Sequence, residues 1–383
     1  MTEKVQRSSK VIWSPCLILV TAVTCVSGTL AIISLKIAGT TYNFKHSMIQ
    51  TFFMFIGEYL NILAFAVPLI ISVKRRNRYF QSLTEEAYAK KQDIKGSKLW
   101  ASLPSLIDAV ASSLDLTSLL LLPASISQML QGGQIITTCI FAMIINKRSI
   151  LRHQIAGIVF SAAGFFIVGI AGHISTNKES SQNYIKEGYI LGFLLTLLNL
   201  TLAGLHLNLE EMIMNRIAIT PQRMVGLEGI FGLIWITGII GIFSYMPCPD
   251  AQLCDIRGYM EDVTLAIKDV SRSTGLIFWS LTSIFSITFV NLTGVYATRL
   301  MSAMFRTFWK SMTVVLVWII SVAAGLETLE PLSSSIQVIG FIMLVIGNLT
   351  YNGLVKWPCL GISDDIDDDE IVAITNKYAQ LQE

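Results

Sequence analysis

The chain has 383 residues, 53% of them hydrophobic and only 14% charged, with a formal net charge of +2 and a mean hydropathy of +0.61. A soluble domain carries about 25% charged residues. So low a share excludes a soluble enzyme and a disordered chain, and so small a net charge offers no basic field for nucleic acid. What remains is a polytopic membrane protein.

A spanning helix needs roughly 20 mostly apolar residues. Ten such runs are predicted, at 14–35, 47–73, 99–121, 124–145, 153–173, 186–207, 224–246, 274–297, 302–325 and 334–356. The first is too long for a signal-peptide core and reads as an uncleaved signal anchor. The third and fourth meet at Pro123, which marks the cut between them. No ten-residue dyad pattern of barrel strands is present, so the expected fold is all-α.

Orientation follows from Lys and Arg in short loops. With ten spans, one face holds nineteen basic residues, from Lys4, Arg7 and Lys10 through the 74–98 loop to Lys356 and Lys377. The opposite face holds seven, namely Lys36, Lys45, Lys178, Lys186, Arg257, Lys268 and Arg272. Both termini are therefore expected in the cytosol. Cys248 and Cys254 then fall in the long outer or lumenal loop after span seven. Their spacing permits a small disulfide loop, with two free thiols as the alternative. The N-x-T sequons at Asn199, Asn291 and Asn348 lie inside spans and are not expected to carry glycans.

Ten spans divide into two sets of five, and because five is odd the two sets run in opposite directions. Gln154, Gly157 and Gly164 in span five match Gln337, Gly340 and Gly347 in span ten with identical spacing. Ser127 to Gln131 also resembles Ser302 to Arg306. The expected plan is an inverted repeat, with residues 14–173 as one five-helix half and 186–356 as the other. A 1–13 arm precedes them and an acidic 357–383 tail follows. A site at the repeat interface near mid-membrane fits this plan.

Ionisable groups inside a span are costly unless they face a cavity or a partner. Glu58 falls in span two, Asp108 and Asp115 in span three, Glu228 in span seven, and Arg306 and Lys310 in span nine. Arg306 and Lys310 are four apart and share a helix face. Gln128, Gln131 and Gln134 recur at three-residue spacing on span four, and Asn291 lies in span eight. The expected cavity residues are Glu58, Asp108, Gln128, Gln131, Glu228, Asn291, Arg306 and Lys310. Intramembrane ion pairing and interhelical hydrogen bonding are the structural alternatives. His206, Glu210 and Glu211 fall near the cytosolic end of span six and read as interfacial.

No H-E-x-x-H, paired C-x-x-C, P-loop or G-x-S-x-G motif occurs, so no enzyme activity, metal or cofactor is expected. Two of the four histidines, His153 and His173, fall near helix ends, which argues against a histidine metal site. Without a P-loop, transport energy has to come from a gradient or from exchange.

These landmarks, taken in order, resemble the drug/metabolite transporter superfamily, and within it subgroup F of solute carrier family 35. The resemblance covers nearly the whole chain. It rests on G-E-Y-L-N-I-L-A-F (Gly57 to Phe65), L-P-S-L-I-D (Leu103 to Asp108), S-I-S-Q-M-L-Q-G (Ser125 to Gly132) and L-E-E (Leu209 to Glu211). G-L-E-G-I-F-G (Gly226 to Gly232), S-A-M-F-R (Ser302 to Arg306) and I-G-N-L-T-Y-N-G-L (Ile346 to Leu354) complete it. The malaria chloroquine-resistance transporter is a more distant relative of the same superfamily. The resemblance implies two inverted five-helix repeats, alternating access, and a central cavity that leaves spans five and ten peripheral. It also implies cavity or gate roles for Glu58, Asp108, Gln128, Glu228 and Arg306. One departure is Gln131, where the family usually carries Arg.

The acidic tail, Asp364 to Glu370, is followed by Tyr378-Ala379-Gln380-Leu381. Tyr378 and Leu381 have the spacing of an adaptor sorting signal for endosomes and lysosomes. Family members point to endolysosomal or Golgi membranes. The expected function is a secondary transporter of a small polar or charged organic solute across an endomembrane, with a proton coupled at Glu58 or Asp108. A nucleotide-sugar or nucleotide exchanger is one alternative. A structural or regulatory membrane subunit that kept the fold and lost transport is another. The expected partners are the small-molecule substrate, membrane lipid and a sorting adaptor at the tail, with the chain a monomer or homodimer and no nucleic acid bound.

Overall fold

The structure is a computed structural model. It describes residues 15–74, 97–122, 124–147, 150, 152–179, 183–217, 219, 221–246, 259–300, single positions between 306 and 320, and 331–351. Cys248, Cys254, Tyr378 and Leu381 lie outside the described residues, as does the side chain of Gln128.

Every regular element among the described residues is a helix. The long ones are α1 (Pro15–Thr40), α2 (Ser47–Lys74), α3 (Ser102–Leu121), α6 (Arg152–Glu179), α7 (Asn183–Ile217), α8 (Pro221–Phe243), α10 (Thr274–Leu300) and α11 (Pro331–Tyr351). Shorter ones are α4 (Ala124–Gln131), α5 (Gln134–Ile145) and α9 (Val263–Arg272). Arg306, Thr307, Lys310, Thr313 and Val314 are also helical. Six stretches among the described residues are long and apolar enough to cross a bilayer: Leu19–Gly39, Arg152–Ala171, Gly188–Met214, Pro221–Phe243, Thr274–Arg299 and Ser334–Tyr351. The outward side chains are those a lipid would cover, with Phe166, Ile170, Phe278, Phe285 and Phe289 all exposed. The chain is an all-α membrane protein.

Three elements differ from the sequence expectation. The run expected as one helix over 124–145 is broken at Gly132 and Gly133. Their amides bond back to Met129 O and Leu130 O at 3.0 and 2.9 Å, a tight three-residue turn. A Cβ on Gly133 would sit 2.5 Å from the Phe165 ring, so only glycine fits there. The sixth span, expected to stop at 207, runs on as helix to Ile217. Its extra turns carry Asn208, Glu210 and Glu211, all buried, which hydropathy alone reads as the end of a span. The same limit applies at His173, which stands inside α6 and not in a loop. Finally, the loop after α8 contains the amphipathic helix α9. Its N-cap is Asp262, which accepts from Leu265 N at 3.0 Å. Glu261 anchors the preceding turn: one carboxylate oxygen lies 2.7 Å from His46 Nδ1 and the other accepts from Met48 N at 3.1 Å.

Helices pair along their lengths as α6 with α11, α1 with α10, α2 with α8, and α3 with α7. Small residues make these approaches close. A Cβ on Gly157 would lie 2.7 Å from Gly347 O, and one on Gly164 would lie 2.5 Å from Gly340 O. The glycines matched in the sequence as a repeat are therefore the ones that touch, crosswise. On α2 and α8, a Cβ on Gly229 would meet Tyr59 N at 2.4 Å, and one on Gly226 would meet Ile62 Cβ at 2.6 Å. Hydroxyls bind neighbouring backbones: Thr288 donates to Gly57 O at 2.9 Å and Ser105 donates to Glu228 O at 2.7 Å.

The α6–α11 contact is backbone on backbone, so no side chain can yield to an added group. Gly164→Val is expected to destabilise the folded protein by about 1–3 kcal/mol, read as a lower unfolding midpoint in detergent. Gly238→Val, at a position with nothing within 4 Å of a Cβ, is the matched control and should stay within about 0.5 kcal/mol. Equal effects at the two positions would contradict the packing described here.

Candidate functional site

A cavity of about 260 Å³ lies inside the bundle, walled by α1, α2, α3, α5, α7, α8, α10 and the helical positions from Arg306 to Thr313. Its apolar wall includes Ile32, Met54, Leu207 and Val290. Its polar wall brings together Glu58, Asp108, Asp115, His206, Glu228, Asn291, Arg306 and Lys310.

Each charge finds a specific neighbour. Arg306 Nη1 donates to Glu210 Oε2 at 2.6 Å, and Glu210 is completely buried. The guanidinium crosses α10 at Gly294, where a Cβ would lie 2.7 Å from Arg306 Nε. Asn291 Nδ2 donates to Glu58 Oε1 at 2.5 Å, while Glu58 Oε2 is buried without a hydrogen bond. Asp115 Oδ1 accepts from Asn199 Nδ2 at 3.0 Å and also from Gln131 Nε2. Lys310 Nζ donates to Gln134 Oε1 at 2.7 Å and to Gln131 Oε1 at 3.4 Å. Gln131 thus joins Lys310 to Asp115 through one amide. The turn at Gly132 and Gly133 is what presents the glutamines on both sides of it to the same lysine.

His206 sits between two carboxylates. Its Nε2 is 3.4 Å from Glu228 Oε1, and its Nδ1 is 3.9 Å from Asp108 Oδ1. His206, Glu210 and Glu228 are all buried, and their ligand-type atoms lie within 4.8 Å of one another. A histidine cluster was not expected from the sequence. The fold makes one by carrying α7 past the expected boundary and bringing Glu228 of α8 to it.

Of the residues singled out in the sequence, Glu58, Asp108, Glu228, Asn291, Arg306 and Lys310 share this one cavity. Gln131 is buried beside it and reaches it through Lys310. His206 and Glu210, read as interfacial, are interior. The missed signal is a stripe on one helix: Asn199, His206 and Glu210 recur at seven and four residues, the spacing of a single α-helical face.

The Arg306–Glu210 pair is deep enough that losing one partner strands the other. Glu210→Gln is expected to lower stability by about 3 kcal/mol. Adding Arg306→Gln should restore part of that loss, because no unpaired guanidinium then remains. Unfolding midpoints of the two single variants and the double variant check this, and strictly additive losses would refute the pair as a stabilising unit.

Comparison with known proteins follows the same outline. A model of the family described as nucleotide-sugar transporter matches residues 14–243. Solute carrier family 35 member F6 of Homo sapiens is 30% identical over 320 residues, which is 84% of this chain and 81% of that protein. The Rattus norvegicus protein of the same name is 30% identical over 82% of this chain and 79% of its own length. An uncharacterized protein of Schizosaccharomyces pombe is 29% identical over 68% of this chain and 76% of its own. Each alignment spans most of both partners, and the two mammalian relatives are described as solute carriers. The chain is an integral membrane protein that belongs to the nucleotide-sugar transporter family of solute transporters, within subgroup F of solute carrier family 35.

Proposed function

We propose that the chain is a secondary active transporter, moving a small polar or charged organic solute across an endomembrane by alternating access. The observation that carries this reading is the cavity itself: carboxylates, two cations and an amide chain are gathered in a pocket inside an apolar bundle. Such a concentration of charge is costly in a membrane unless it serves a pathway.

The moving parts are two inverted repeats, residues 14–173 and 186–356. Exchanging the halves turns α1 into α7, α2 into α8, α3 into α10 and α6 into α11. Under that exchange the α2–α8 and α6–α11 pairs map onto themselves, and α1–α10 maps onto α7–α3. The observed pairings obey this rule. So do the crossed glycines, Gly157 with Gly347 and Gly164 with Gly340, and the paired hydroxyls of Thr288 and Ser105. This supports the ten-span, two-repeat plan, with rocking about the central cavity.

Size and charge narrow the solute. The cavity, at about 260 Å³, is below the roughly 300–1,000 Å³ of pockets for drug-sized ligands. Glu58, Asp108, Asp115, Glu210 and Glu228 outnumber Arg306 and Lys310, and both cations already have partners. That balance favours a solute bearing a positive group, or protons bound alongside it. Glu58 is the coupling residue of choice, with one oxygen held by Asn291 and the other unbonded. A nucleotide-sugar or nucleotide exchanger is the second reading. It is favoured by Lys310, exposed along the cavity wall where a phosphate would meet it. The Lys/Arg bias supports cytosolic termini, and the Tyr378 to Leu381 pattern supports a lysosomal or endosomal membrane.

The test is uptake by purified protein in proteoliposomes under an inward proton gradient, with amino acids, peptides, organic cations and nucleotide sugars offered in turn. Saturable, gradient-driven uptake of one class is expected. Arg306→Gln should reduce it more than about tenfold, the effect of losing about 1.4 kcal/mol of contact. Glu58→Gln should leave residual flux that no longer responds to the gradient. Gradient-driven flux unchanged in Glu58→Gln would overturn the coupling role. Uptake of a nucleotide sugar only into vesicles preloaded with a nucleoside monophosphate would establish the exchanger instead.

A further inference from the structure

We propose that the central cavity holds a binding site for one divalent d-block cation, formed by His206, Glu210 and Glu228. The inference rests on the reading of this cavity as the solute path and adds an inorganic ion to what that path accommodates.

The site is built from two helices. His206 and Glu210 are four residues apart on α7 and so project from one face. Glu228 comes from α8, where its own backbone carbonyl is held by Ser105. The three side chains are 7%, 0% and 4% exposed. Their ligand-type atoms fall within a 4.8 Å circle, close enough for small side-chain rotations to converge on one ion.

The independent observation is the state of those atoms. His206 Nε2, Glu210 Oε1 and Glu228 Oε1 are each buried and take no hydrogen bond. Buried polar atoms are almost always paired, and here three such atoms lie together with no hydrogen bond among them, His206 Nε2 and Glu228 Oε1 being in ion-pair contact at 3.4 Å. The other oxygen of Glu210 is occupied by Arg306 at 2.6 Å, which fixes the carboxylate and leaves Oε1 available. Asp108 Oδ1 stands 3.9 Å from His206 Nδ1, on the far side of the ring from Glu228. A carboxylate behind a ligating imidazole is the arrangement that holds the ring tautomer and orientation at metal sites.

The donor set selects the ion. One imidazole with two carboxylates suits zinc, manganese, iron or cobalt. Calcium and magnesium take all-oxygen shells of six or more ligands, which three side chains including an imidazole do not supply. His206 and Glu228 line the cavity while Glu210 lies buried behind them, and a set of three protein ligands leaves a position for water or solute, as exchangeable sites do and closed structural sites do not. Two added positive charges suit a pocket whose acids outnumber its cations.

The test uses full-length protein in detergent, purified without a polyhistidine tag and titrated with Co²⁺ alone. Binding at one equivalent, with visible ligand-field absorption that Zn²⁺ displaces and Mg²⁺ does not, is expected. His206→Gln and Glu228→Gln should each abolish the band while retaining wild-type elution on size exclusion. Asp108→Asn, which acts by positioning the ring, should weaken Co²⁺ binding about tenfold or more without removing the band. If one variant fails to fold, the other two still decide the matter. Absence of the band in folded wild-type protein, or a band unchanged in Glu228→Gln, overturns the site. Because the titration needs no flux, lost binding with intact uptake refutes only the metal site, and binding without uptake refutes only the transporter.

Discussion

A charge placed among apolar helices has to find its counter-charge inside the protein. In this bundle that requirement organises everything near the centre. Arg306 meets Glu210 at 2.6 Å, Lys310 leans on two glutamine oxygens, and Glu58 is gripped by Asn291. No single helix supplies both halves of these contacts. The helices that carry them must therefore hold their relative heights closely, and the cavity is the space left where their polar faces converge.

Those heights are held by contacts of a different kind. Around the charged centre, backbones approach so closely that a Cβ would collide: Gly229 against Tyr59, Gly157 against Gly347, Gly164 against Gly340. In a lipid environment no hydrophobic drive gathers helices, so short-range packing and hydroxyl-to-carbonyl bonds do that work. The same small residues that weld α6 to α11 carry no charge. On α2 and α8 the close packing and the charged cavity stand side by side, since Gly229 and Tyr59 directly follow Glu228 and Glu58.

The architecture was legible in the sequence because its signals are long and repeated. A run of apolar residues of the right length fixes a helix, while the spacing shared by Gln154–Gly164 and Gln337–Gly347, read in the sequence as a repeat, gave no sign that these two helices touch. The charges in mid-span, Glu58, Asp108, Glu228, Arg306 and Lys310, were legible for the same reason: they interrupt an otherwise apolar pattern. The site was incomplete where that contrast fails. Hydropathy falls away at the polar end of α7, so His206, Glu210 and Glu211 read as interfacial, yet all three are buried and Glu210 pairs with Arg306. The turn at Gly132 and Gly133 was hidden because glycine pairs occur in continuous membrane helices too. Only the Phe165 ring, from a different helix, decides that this pair bends.

Gln131 shows how one neutral side chain links an acid and a base of the cavity. The resemblance marks this place as a departure, Gln131 standing where the family usually carries Arg. Here an amide stands between Asp115 and Lys310, donating to one and accepting from the other. Both partners are in hydrogen-bonded contact with the amide, which brings no charge of its own. The cations are committed to partners, and the carboxylates are left in excess. The charge of the cavity is therefore set by the side chains that several helices bring together and not by any one of them.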